Sequence, residues 1–109
     1  MSKTINIFGH KVKVCFCMAV EIEYEELSGQ SFDLELISTQ KSSMQLCYAA
    51  MKVANDKMPF TLERLNREAS LHEIAQLKDA VLQEMNEWLG ISKVMEDKAQ
   101  SDEGDPKNA

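Results

Sequence analysis

The residues Gln40 to Ala54, QKSSMQLCYAAMKVA, limit the fold more than any other stretch of the 109-residue chain. Their spacing predicts a helix with Met44, Cys47, Tyr48 and Met51 on one stripe at i, i+3, i+4 and i+7. Leu46, Ala49, Ala50 and Val53 make a second stripe beside the first. A helix apolar over so much of its circumference must be covered on two sides, so the rest of the chain has to wrap around it. Ala49, Ala50 and Ala54 allow a neighbouring helix to come close, Ser38 or Thr39 offers a capping oxygen, and Asn55 suits a left-handed terminating turn.

The covering elements can be read on either side. Ile5, Ile7, Val12, Val14 and Phe16 alternate with Asn6, Lys11, Lys13 and Cys15, the period-two pattern of two strands with one buried face. Gly9-His10 reads as a two-residue loop with glycine first, which suits a type II′ turn and pairs about residues 3 to 8 with 11 to 17. An isolated hairpin is marginal in water, so helices must cover it. From Met18 the period changes: Val20, Tyr24 and Leu27, flanked by Ile22, predict a short amphipathic helix that Gly29 stops. Phe32, Leu34, Leu36 and Ile37 predict a further short helix.

Pro59 marks the stretch Asp56 to Thr61 as a connection, and Thr61 caps a short helix carrying Leu62 and Leu65. Ser70-Leu71-His72-Glu73 fits the capping box, in which serine and glutamate satisfy each other's backbone donors. Ile74, Leu77, Val81, Met85 and Trp88 follow at helical spacing, Leu82 and Leu89 widen the stripe, and Gly90 closes the helix. The expectation is an α+β, mostly α fold: an N-terminal β-hairpin followed by a bundle of about four helices. Residues 1–91 form a single globular domain and residues 92–109 a flexible polar tail.

Composition narrows the function. Twelve basic against eighteen acidic residues give a net charge of -6, which repels phosphate backbones and makes nucleic acid an unsuitable partner. No apolar run is long enough for a signal peptide or a bilayer span, so the expected setting is cytoplasmic, without a membrane partner. The glutamates Glu21, Glu23, Glu25 and Glu26 read as a solvated helix face rather than an acid/base cluster.

Phosphate-loop, nucleophile-elbow, zincin and dinucleotide motifs are all missing. Cys15 and Cys17 share a strand face and invite a metal or redox reading, as does a dyad of His10 or His72 with Cys15, Cys17 or Cys47. No second cysteine pair lies nearby, and the residues read as small apolar packing groups. No catalytic residue, metal ligand or cofactor is expected.

Seven methionines are many for this length. They suit gap-filling in a core or an adaptable apolar surface for a helical partner, and Met44, Tyr48, Met51, Met85 and Trp88 are the residues proposed for such a surface.

At Tyr24 to Phe32, YEELSGQSF, the chain resembles the tail assembly chaperones of long-tailed bacteriophages and prophages. The resemblance covers about residues 4 to 55: a hairpin, a strand, A-x-x-x-x-[YF]-E-x-L-[ST]-G-x-[SP]-F, a cap, and a helix reading LCYAAMKVAN. Tyr24 and Glu25 match the motif, while Leu27, Gly29 and Phe32 look structural, as apolar anchor, helix stop and re-entry into the core. The resemblance implies a non-catalytic protein of the bacterial host's cytoplasm that binds the tape measure protein and recruits tail tube subunits. It leaves homo-oligomerisation open. A regulatory adaptor binding a helical partner is the alternative.

Overall fold

The computed structural model describes residues 2–33 and 37–102, with side chains described as far as Gly90. Its elements are β1 (Ser2–Ile7), β2 (His10–Cys15), α1 (Met18–Ser28), α2 (Gln40–Ala54), α3 (Leu62–Glu68) and α4 (Leu71–Asp102). A two-stranded antiparallel hairpin followed by four helices makes the fold α+β and mostly α.

The hairpin pairs Ser2 with Cys15, Ile5 with Val12 and Ile7 with His10. Its loop is therefore Phe8-Gly9, not Gly9-His10. Both residues have positive φ, 55° and 80°, which is the type I′ pattern rather than II′. This shifts the expected register by two residues. Side chains alternate with period two, so the buried face is unaffected, and Ile5, Ile7, Val12, Val14 and Phe16 all lie in the core.

A phenylalanine held in the left-handed region costs about 1–3 kcal/mol. Three long-range contacts hold Phe8 there. Its N–H donates to Glu73 Oε2 at 2.8 Å, its ring meets Phe60 edge-on with centroids 5.2 Å apart, and the Arg64 guanidinium lies 4.4 Å over it.

Side chains cap three of the four helices at their start. Thr39 Oγ1 accepts from Ser42 N–H and Thr61 Oγ1 from Arg64 N–H, both at 3.1 Å. The capping box at α4 is complete: Ser70 N–H donates to Glu73 Oε1 at 2.9 Å and Glu73 N–H to Ser70 Oγ at 3.1 Å. Glu73 thus spends one carboxylate oxygen on its own helix and the other on the hairpin turn. The cap of α1 is Cys17, which makes no side-chain capping bond, and Gly29 ends that helix in the left-handed conformation.

Asn55 departs from its expected role. Its backbone is extended at φ -125°, and its side chain does the work instead. Oδ1 accepts from Lys13 N–H at 3.2 Å and Nδ2 donates to the Lys13 carbonyl at 2.9 Å, as a third strand would.

The core forms where α2 packs against α1, β2, α3 and α4, while α4 also covers both strands. Met44, Leu46, Cys47, Ala49, Ala50 and Met51 of α2 are buried, joined by Val20 and Tyr24 of α1, Phe60, Leu65, and Leu77, Ala80 and Val81 of α4. The two-sided burial expected of α2 is what the structure shows.

Two further expectations need correction. Gly90 does not end α4, because it lacks the positive φ that makes glycine a stop, and good helix formers such as Lys93, Met95, Glu96 and Lys98 follow it. The helical backbone of α4 runs on to Asp102. The short helix expected around Phe32 to Ile37 is not formed at Phe32 or Ile37, and Leu34 and Leu36 lie outside the described residues. Phe32 is held without helical bonds: its N–H donates to Glu25 Oε2 at 2.9 Å, and its ring packs against Tyr24 and Phe16.

Candidate interaction groove

Helices α2 and α4 do not close completely on each other. Ser43, Leu46 and Cys47 of α2 and Lys78, Val81, Leu82 and Met85 of α4, together with Ile37, line an open groove of about 340 Å3. A hydrogen bond from Lys78 Nζ to Gln40 Oε1 at 2.6 Å ties α4 to the first turn of α2. Trp88 lies one turn beyond Met85, half-buried, with its ring N–H donating to Glu21 Oε2 at 3.3 Å. That bond satisfies the indole and brings α1 beside α4.

The floor of the groove is apolar, and its wall is incomplete. Leu82 is 50% exposed and Leu89 39% exposed, on the side of α4 turned away from Leu77 and Ala80. Exposing two leucines a helical two turns apart leaves an apolar strip of the kind that a partner helix covers. A second hollow, lined by Gln40, Lys41, Met44, Asn66 and Ile74, and a third, lined by Ser28, Gln30, Ser31, Thr39, Lys41, Ser42 and Gln45, carry more polar walls.

The five residues proposed from sequence for a partner surface do not share one face. Met85 lines the groove and Trp88 adjoins it, half-buried. Met51 is fully buried and Met44 nearly so, with Met44 touching only the second hollow. Tyr48 is half-buried, and its hydroxyl donates to the Phe60 carbonyl at 3.1 Å, a tie between α2 and the α2–α3 connection. Of the apolar lining, sequence reasoning missed Ile37, Leu46, Cys47, Val81 and Leu82, and outside the lining it missed the exposed Leu89. The signal for the last two was present, because Leu82 and Leu89 make the apolar arc of α4 wider than one core face needs.

The motif residues have structural positions. Tyr24 is buried, Leu27 packs at the core's edge, Gly29 stops α1, and the Glu25 carboxylate anchors Phe32. The acidic face of α1 is solvated only in part: Glu21 accepts from Trp88 and Glu23 pairs with Lys52 Nζ at 2.9 Å, both half-buried, while Glu25 and Glu26 are exposed and Glu25 accepts from Phe32. The hydrogen bond that Lys52 donates to the Glu23 carboxylate holds its ammonium above its usual range.

Burial pushes the Cys47 thiol up to about 12, and burial, with Cys17 next, raises that of Cys15, so both are protonated near neutrality. Among the described residues no group of three or more Cys, His, Asp or Glu is arranged to hold a metal ion. Glu84 is the one charged core residue described, 4% exposed on the α4 face that meets the hairpin, and its carboxylate has no hydrogen-bond partner among the described residues. Its charge adds to the upward push on Cys15.

No helix among the described residues is long and apolar enough to cross a membrane. No family model, curated protein or solved structure matches the chain.

Proposed function

We propose that this protein is a non-catalytic tail assembly chaperone of a long-tailed phage or prophage, binding the tape measure protein and recruiting tail tube subunits in the cytoplasm of the host. The observation that carries the reading is the ordered set over residues 4 to 55: hairpin, the motif from Ala19 to Phe32, a Thr39 cap and the α2 helix. The groove between α2 and α4 supports it by offering a client a place to lie. An amphipathic client helix would set its apolar side against Leu46, Val81, Leu82 and Met85, and the net charge of -6 would keep the complex soluble.

Co-expression with a tape measure protein tests the reading. The expected result is a larger soluble fraction of the tape measure protein, lost when Leu82→Asp puts a charge into the groove. A soluble fraction unchanged by adding this protein would sink the proposal. Binding to a different helical protein, with none to the tape measure protein, would favour the regulatory adaptor instead.

A further inference from the structure

The two edges of the hairpin are treated differently. The two-residue loop makes Ile7 and His10 a hydrogen-bonded pair, and the alternation of antiparallel ladders then makes Ile5–Val12 and Lys3–Val14 bonded pairs as well. Thr4 and Lys13 form a pair of the other kind, with their N–H and C=O groups turned away from each other. The Asn55 contacts agree, since Asn55 takes both outward groups of Lys13. On β1 the corresponding outward groups belong to Ser2, Thr4 and Asn6. None of them has a hydrogen-bond partner among the described residues, and all three residues are exposed.

Strand edges left open in this way pair with other strands unless something blunts them. The usual blunting devices are missing from β1: the segment SKTINI has no proline, the register has no bulge, and Lys3 is its only charge. We propose that β1 pairs antiparallel with β1 of a second copy, about a two-fold axis at Thr4, to join two hairpins into one four-stranded sheet.

The strand is complementary to itself in that register. Thr4 meets Thr4 of the partner subunit, and Ser2 meets Asn6 of the partner subunit on either side. Each of these pairs exchanges two backbone hydrogen bonds, because all three residues present both groups outward. On the other face Lys3 lies opposite Ile5 of the partner subunit, so the lysines are staggered. The small hydroxyl and amide side chains of Ser2, Thr4 and Asn6 present no bulk or charge at the seam. Each hairpin carries Lys3, Lys11 and Lys13 and no carboxylate, and each chain has a net charge of -6. Raising the salt concentration therefore tightens the dimer by screening like charge.

Sedimentation of the full chain over a range of concentrations, with amide exchange read at Thr4 and Asn6, tests the pairing. The expected result is a monomer–dimer equilibrium in which those two amides become protected as the dimer fills. Thr4→Lys sets like charges opposite each other on the axis and is expected to weaken dimerisation at least about tenfold. Thr4→Pro removes an outward N–H that the hairpin does not use, and is expected to do the same with unchanged circular dichroism. A chain that stays monomeric at the highest concentration reached overturns the proposal. So does a dimer that Thr4→Lys leaves unweakened, or one in which the Thr4 and Asn6 amides exchange as in the monomer. These outcomes do not depend on any client.

Discussion

Helices α2 and α4 are both rich in apolar residues, yet they stand in opposite situations. Both apolar stripes of α2 are buried apart from the half-buried Tyr48 and Val53, because α1, β2, α3 and α4 surround it. On α4 one stripe, through Leu77 and Val81, faces the core, while Leu82 and Leu89 remain exposed and Glu84 is buried without a hydrogen-bond partner among the described residues. The apolar residues of α2 are accounted for by folding. Those of α4 exceed what folding uses, and Leu82 among the excess lines the groove. The difference separates residues that hold the fold from residues that are free to hold something else.

The sharpest test of the α2 half is Met51→Ala. Met51 is fully buried at the centre of the core, and truncation leaves a cavity, so unfolding free energy should fall by about 2–5 kcal/mol. Urea denaturation measures it. A loss below about 1 kcal/mol would mean that α2 is not enclosed as described.

On α4 the largest expected effect has the opposite sign. Glu84→Met replaces a buried carboxylate with an apolar chain of similar length, and should stabilise the protein by about 1–3 kcal/mol, read as a raised melting temperature. A destabilised variant would show that the carboxylate has a favourable partner after all.

Glu73→Gln tests the join between α4 and the hairpin. The Glu73 carboxyl is held below its usual range first by the Phe8 N–H and then by the Ser70 N–H. A carboxylate with a lowered folded-state pKa stabilises the protein above its ordinary value of 4.5, and that stabilisation disappears as pH falls through the folded value. The variant should therefore lose about 1–2 kcal/mol at pH 7 and match the parent in acid. An equal deficit at both pH values would mean that the charge on Glu73 is not what binds Phe8.

These contacts also explain which parts of the fold were legible in the sequence. The bounds of α2, the Thr61 cap and the Ser70–Glu73 box were readable because each depends on residues within one or two turns. The hairpin loop was misplaced by one residue because a left-handed Phe8 is locally unfavourable, and its compensation comes from Glu73, 65 positions away. Asn55 looked like a helix stop, and its bonds to Lys13 cross 42 positions. Of the groove, Met85 and Trp88 were legible from spacing. Met44 and Met51 were offered both as core and as partner surface because helical periodicity shows that a stripe is apolar but not what covers it. Glu84 falls on the Leu77, Val81, Trp88 stripe, so its burial could have been read from spacing alone.

Gly90 gives a smaller test of the same helix. It lies within α4, its φ is not positive, and a Cβ there would meet nothing within 4 Å. Gly90→Ala should stabilise α4 by about 0.5–1 kcal/mol and increase helical circular dichroism. A loss of helicity would restore Gly90 as a stop.

The smallest expected change in stability is the most informative for function. Leu82 is half exposed, so Leu82→Asp removes little buried area and should alter unfolding free energy by no more than about 0.5 kcal/mol. Set beside Met51→Ala, it asks whether the two helices divide their work as the burial pattern says. If Leu82→Asp unfolds the protein, the exposed stripe belongs to the core and the contrast between α2 and α4 fails. If stability is kept while client binding is lost, the apolar excess of α4 is there for a partner. Stability kept with binding unchanged would leave the contrast intact but move the client away from this groove.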